Sequence, residues 1–105
     1  RRDQREGVAM GDYLIKRRDE TRPVALAWRG LGPGETVRED LGWMIVPQEM
    51  DAEALVLVCA SCGDGASTAL LRGGRAGHVY HVTNRVRTSA DRVLSQSLML
   101  RVLAA

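Results

Sequence analysis

The sequence contains no phenylalanine, and two tryptophans and two tyrosines are its only aromatic residues across 105 positions. A core built from this chain must therefore be aliphatic, made of Leu, Val, Ile and Met. Lysine is nearly absent too. Of fifteen basic residues all but Lys16 are arginine, and thirteen acids leave a net charge of only +2. So slight a balance makes no case for a nucleic-acid or anionic-membrane partner. No apolar run approaches the ~20 residues that a membrane-spanning helix needs. No secretory signal, internal repeat, low-complexity tract or amphipathic helix is visible. What remains is a chain of one-domain length, close to the ~100 residues of a seven-strand sandwich and long enough to bury a core without staples.

The strongest local pattern runs over residues 67–105. Leu70 and Leu71 end an apolar run, and Gly73, Gly74 and Gly77 then break it. From His78 to Arg87 the pattern alternates. Tyr80, Val82, Asn84 and Val86 fall on one side; Val79, His81, Thr83, Arg85 and Arg87 fall on the other. Period 2 with β-branched and aromatic residues predicts a half-buried antiparallel strand. Residues 88–91 are a polar turn. Beyond it Leu94, Gln96, Leu98, Leu100 and Val102 share the parity expected to face the core, so the two strands read as a hairpin. Gly77 precedes Tyr80 by three positions and Val82 follows it by two. In immunoglobulin-like sandwiches a tyrosine near the start of strand F, two residues before the second cysteine position, bonds back to backbone at the corner. Tyr80 is expected in that role. Val82 takes the cysteine position, so no inter-sheet disulfide is expected.

Upstream, the signals are shorter. Residues 1–22 are expected to form an N-terminal arm and possible first strand: a charged start, then Val8, Met10, Tyr13, Leu14 and Ile15, then a mixed-charge run over 16–22 read as a solvated link. Residues 23–105 are expected to form the sandwich domain. Pro23 opens a strand that ends near Trp28, and the glycines around Pro33 make a turn. Leu41, Trp43 and Ile45 share one parity, and Trp43 is the expected large core residue. The run over 54–60 is apolar and β-branched and reads as a buried strand. Short strands separated by Gly and Pro turns predict an all-β fold, an immunoglobulin-like antiparallel β-sandwich of about seven strands with an N-terminal arm.

Candidate chemistry is sparse. Cys59 and Cys62 form a C-x-x-C that ends an apolar strand and enters a Gly-Asp-Gly turn, whereas a redox pair should open a helix. A zinc site wants four ligands, and no second pair exists. Two unrelated cysteines, one buried and one in a turn, is the reading taken. Zinc held by Cys59, Cys62 and one of His78 and His81 is the alternative. No cofactor and no catalytic residues are expected. The glycine-rich turns at 63–65 and 73–77 precede no helix that would hold a phosphate. Arg85 and Arg87, with His81, make a basic stripe on one strand face. With Arg17 and Arg18 they are the candidate interface residues, since arginine is favoured at protein contacts.

Residues 71–92, reading LRGGRAGHVYHVTNRVRTSADR, and 97–102, reading SLMLRV, resemble the phage fiber–tail adaptor proteins of tailed bacteriophages. That family carries a pattern like LSGGTAGTxYxVTNxIxTSxGR, followed by RSxxLRV. Residues 24–28 and 43–47 loosely resemble its first strand and its W-x-V-P segment. Asp91 stands where the family often has glycine, and Gln96 where it has arginine before the serine. The resemblance implies an immunoglobulin-like sandwich in the virion, with a structural, non-enzymatic role at the tail or neck. Its implied partners are other virion proteins of tail, neck, fiber or capsid, met in multiple copies of a symmetric assembly. Two other roles stay open: capsid decoration on the phage head, and an extracellular adhesion sandwich. The second needs an exposed aromatic platform, for which this chain has few residues to spare.

Overall fold

The computed structural model describes residues 13–104. Seven strands follow one another: β1 (Tyr13–Arg17), β2 (Thr21–Ala27), β3 (Val37–Val46), β4 (Val56–Cys62), β5 (Ala66–Arg72), β6 (Val79–Thr88) and β7 (Val93–Leu103). They form two sheets, β1-β7-β6-β3 and β2-β5-β4. This is an all-β sandwich. The expectation of an antiparallel fold holds for every pairing but one: β1 runs parallel to β7, with Tyr13 opposite Met99 and Arg17 opposite Leu103. The first strand thus sits beside the last instead of beside the second. The residues from 1 to 12, on which much of the arm expectation falls, lie outside the described range.

The β6–β7 hairpin follows the alternation in the sequence. Tyr80, Val82, Asn84 and Val86 are wholly buried, as are Leu100 and Val102. Tyr80, Val82, Leu98, Leu100 and Val102 meet Val24, Leu26, Ala69 and Leu71 of the other sheet and Leu55 of the loop before β4 in the main core, flanked by Leu14, Trp43, Ile45 and Leu57, while Val86 packs with Trp28 and Val37 in a smaller cluster. Each fully buried Leu or Val contributes about 1.5–3 kcal/mol of transfer free energy, so an aliphatic core suffices without phenylalanine. Both cysteines are free, and Val82 packs in the aliphatic core. The hairpin turn closes through the Thr88 amide on the Arg92 carbonyl at 2.8 Å, with Asp91 at φ +64°. That is the left-handed region, which glycine occupies freely and aspartate tolerates better than most.

Four local expectations are corrected. Lys16, placed in a solvated link, lies in β1 with 0% exposure. Its Nζ donates to the carbonyls of Gly73 at 2.7 Å and Arg17 at 2.8 Å, which makes burial of the cation tolerable. The apolar run over 54–60 is not a buried strand. Ala54 and Leu55 are buried in the loop before β4, while most of β4 is exposed because it forms an open sheet edge. Cys59 is therefore exposed, not buried, and Cys62 ends the strand and does not sit in a turn. Of the two tryptophans, Trp28 is the more buried. It donates Nε1–H to Ser67 Oγ at 2.9 Å, while Trp43 is half-buried and donates to Asp40 Oδ2 at 3.2 Å. Trp43 stays at the margin because its strand, β3, is itself a sheet edge.

Candidate interaction surfaces

Side chains alternate across a strand, so the register decides which residues share a surface. On the outer face of the four-stranded sheet one row reads Tyr13, Met99, His81, Val46 across β1, β7, β6 and β3. Beside it stand Ser97, Thr83 and Met44, with the Thr83 and Ser97 hydroxyls 2.7 Å apart. On the other side stand Ile15, Arg101 and Val79. Among the described residues, eight of the eleven exposed large hydrophobic side chains belong to this one face, which makes it a contiguous patch and not a scatter. Scattered exposed apolar residues are ordinary, but a gathered set marks a contact surface.

Four of the five basic candidates fall on the same face. His81 lies mid-row, Arg85 pairs across to Ser95, Arg87 to Val93, and Arg17 to Leu103. Arg18 follows the end of β1, where its amide donates to the Leu103 carbonyl at 2.9 Å. Sequence reasoning passed over Met44, Val46, Met99 and Arg101. Met99 and Arg101 stand at the solvent-facing parity of β7, and for Met44 and Val46 the signal is hidden because register shifts between Val37 and Glu39 and between Asp40 and Gly42 change the parity of β3 midway.

The opposite side of the sandwich differs in chemistry. Pro23, Ala25, Thr68, Leu70, Cys59 and Ser61 line a shallow groove of about 400 Å³ on the outside of β2-β5-β4. None of these is charged, and β4 is the one strand without a charged residue. A second groove, of about 670 Å³, opens between the edge strands β3 and β4 and is lined by Trp43, Ile45, Leu55 and Leu57 among others. Cys59 pairs with Leu70, whose side chain faces outward, and Cys62 with the buried Ser67, so the two thiols leave β4 on opposite faces. Among the described residues no three His, Cys, Asp or Glu side chains are gathered so as to hold a metal ion.

The two ends of the sandwich are held by buried or ion-paired polar groups. At one, the Tyr80 hydroxyl accepts from the Arg75 amide at 2.9 Å and donates to Glu49 Oε1 at 2.7 Å. Burial pushes the Tyr80 pKa up; the Arg75 amide opposes this, and the hydrogen bond to Glu49 adds to it. Gly77, at φ +86°, donates its amide to the Val102 carbonyl at 2.7 Å just before the strand begins. Arg75 meanwhile gathers Glu53 at 2.9 Å, Asp51, and Glu49 at 3.6 Å. At the other end Glu35 is held down to a pKa of about 2 by hydrogen bonds from Arg92, the Gly32 amide and Thr88. Burial moves the Lys16 pKa down, against Glu20 and Asp19, which raise it.

A family model described as the podophage GP4 fiber-tail adaptor protein gp77 matches residues 16–101, most of the chain. Comparison with curated proteins gives no match.

Proposed function

This chain belongs to the podophage GP4 fiber-tail adaptor family, a structural family of the virion, and we propose that it joins a fiber to the tail by holding one virion protein on each outer face of its sandwich. The observation that carries this reading is the pair of chemically different faces. One bears the apolar row from Tyr13 to Val46 among arginines, and the other bears an uncharged groove over β2, β5 and β4. An adaptor must engage two unlike partners at once. Two sheets back to back, tied through one aliphatic core, give two such surfaces at fixed separation. Repeated copies would add modest contacts into strong attachment.

The role so read is non-enzymatic. Capsid decoration has no support in the family match, which is to tail adaptors. Adhesion through an aromatic platform is disfavoured by burial: Trp28 and Tyr80 are inside and Trp43 is half-buried, which leaves only Tyr13 well exposed. The deciding experiment is cryo-EM of purified particles with a labelled antibody against this chain. Density at the fiber bases is the expected result. Density spread over the head surface would overturn the adaptor reading.

A further inference from the structure

We infer that the outer face of the four-stranded sheet takes an apolar protein surface edged with carboxylates, on a virion protein other than this chain. The inference rests on the adaptor reading and adds the chemistry of one partner. Its basis is a group of arginines gathered on one face. Elsewhere Arg75 holds Glu49, Asp51 and Glu53, and Arg92 holds Glu35, while the buried Nε of Arg22 has no partner among the described residues. On the sheet face, Arg17, Arg85 and Arg101 point outward, and their guanidinium groups make no hydrogen bond or ion pair with any described residue. Of the two carboxylates on the strands of this sheet, Asp40 turns inward to Asn84, and Glu39 lies 3.5 Å from Arg87, which also meets Asp91 at 3.3 Å. The face thus offers three unpaired guanidinium groups around a row of apolar side chains.

Tyrosine, methionine and arginine are the residue types enriched at protein contacts, and arginine binds a carboxylate through two parallel N–H donors. Complementarity therefore asks for an apolar centre with Asp or Glu at its edge. A second copy of this chain is the wrong occupant, because it would bring the same unpaired arginines to the same contact. Duplex nucleic acid is also a poor fit. Met44 at 61% and Val46 at 49% exposure would face sugar and phosphate with nothing apolar to cover them.

The test uses the parent phage with its own copy of this gene disabled and variants of the full chain supplied from a plasmid. Copies of the chain per purified particle are counted by quantitative immunoblot at rising NaCl. Wild-type chain is expected on the particles and to be released as salt rises. Arg85→Glu with Arg101→Glu should lower the loading about tenfold, and Arg85→Lys with Arg101→Lys should hold it within about threefold. Unchanged melting temperatures show that the variants fold. Should the glutamate pair not fold, Arg85→Gln with Arg101→Gln replaces it, with loading reduced in the same direction. Glutamate-pair loading equal to wild type would overturn the inference while leaving the adaptor reading intact, because the chain would still be on the particle. Absence of wild-type chain from particles would overturn the adaptor reading and this inference with it. Release of the chain by nuclease, or a dimer in sedimentation that the glutamate pair breaks, would assign the face to nucleic acid or to a second copy and overturn it too.

Discussion

The Tyr80 hydroxyl lies 2.9 Å from the amide nitrogen of Arg75, five residues upstream, and closes the corner between the two sheets. The ring is fully buried, and the hydroxyl donates a hydrogen bond to Glu49 Oε1 at 2.7 Å. Tyr80→Phe keeps the ring and leaves the Arg75 amide without its acceptor. The expected loss is about 2–4 kcal/mol, one hydrogen bond to a neutral group and one to a charged one, read as a lower urea midpoint at unchanged slope. The pH dependence carries a second sign. The folded-state pKa is raised above the ordinary 10.0, so this contribution is full below pH 10.0 and is lost as pH rises through the folded value. The alkaline fall in stability should be shallower in Tyr80→Phe. An equal midpoint in both proteins would remove the corner from the account of stability.

The glycines of the same corner are not equivalent. Gly73 and Gly77 both have φ of +86°. A Cβ at Gly77 would meet nothing within 4 Å, whereas one at Gly73 would collide with the carbonyl oxygen of Ala54. Gly77→Ala should cost about 1–2 kcal/mol, the strain of a left-handed non-glycine residue. Gly73→Ala adds a clash with backbone, so it should lower the melting temperature at least twice as far. Equal shifts measured by thermal unfolding would argue against the close approach of residues 54 and 73.

How much of this was legible in the sequence depended on distance along the chain. The β6–β7 hairpin announces itself because period-2 alternation is local, and the setting of Tyr80 needs only Gly77 and Val82 beside it. The left-handed turn is legible only through the family's glycine at Asp91. Lys16 was opaque: its charge is accommodated by the Gly73 carbonyl, 57 residues away. The choice between the tryptophans was opaque for the same reason, since Trp28 is fixed by Ser67, 39 residues on. β4 misled because an uncharged β-branched run looks the same in a sheet centre and at an open edge. The apolar face was only half legible. Its β6 stripe shows in the alternation, but joining it to Tyr13 needs the parallel β1–β7 pairing.

Glu35 should dominate the acid limb of stability. Hydrogen bonds from Arg92, Gly32 and Thr88 hold it down from its ordinary 4.5 to about 2. Between those values the unfolded chain binds the proton and the folded chain does not, so stability rises with pH across that window. The contribution is present above pH 4.5 and is lost as pH falls toward about 2. Glu35→Gln should be less stable than wild type at pH 7, and the gap should be clearly narrower at pH 3, within the window between about 2 and 4.5. Urea unfolding followed by circular dichroism at the two pH values reads it. A constant gap would assign the effect to packing instead.

Cys59 and Cys62 should both react with a thiol reagent in the folded protein, since both are exposed. Leaving β4 on opposite faces, they have no geometry for a shared metal ion within one chain. The double Ser variant should unfold within about 0.5 kcal/mol of wild type, as surface substitutions usually do, and added zinc should leave the melting temperature of both unchanged. A zinc-dependent rise in wild type alone would revive the metal reading.

Lys16 makes the last case, because it is a charge that the fold has enclosed. Its Nζ reaches the carbonyls of Arg17 and Gly73 at 2.8 and 2.7 Å and that of Arg18 at 3.4 Å, tying β1 to the loop after β5. Lys16→Met keeps most of the stem's packing and removes the donor, so the carbonyls lose their partner. Loss of about 1–3 kcal/mol is expected, with the penalty falling on acceptors left unpaired and not on lost burial. Because β1 lies at the sheet edge, the loss should be local first. Hydrogen exchange at Leu14 and Ile15 should accelerate more than at Val82 in the centre of β6. Uniform acceleration through the chain would mean that Lys16 supports the whole sandwich, and an unchanged midpoint would mean that water replaces it at the three carbonyls.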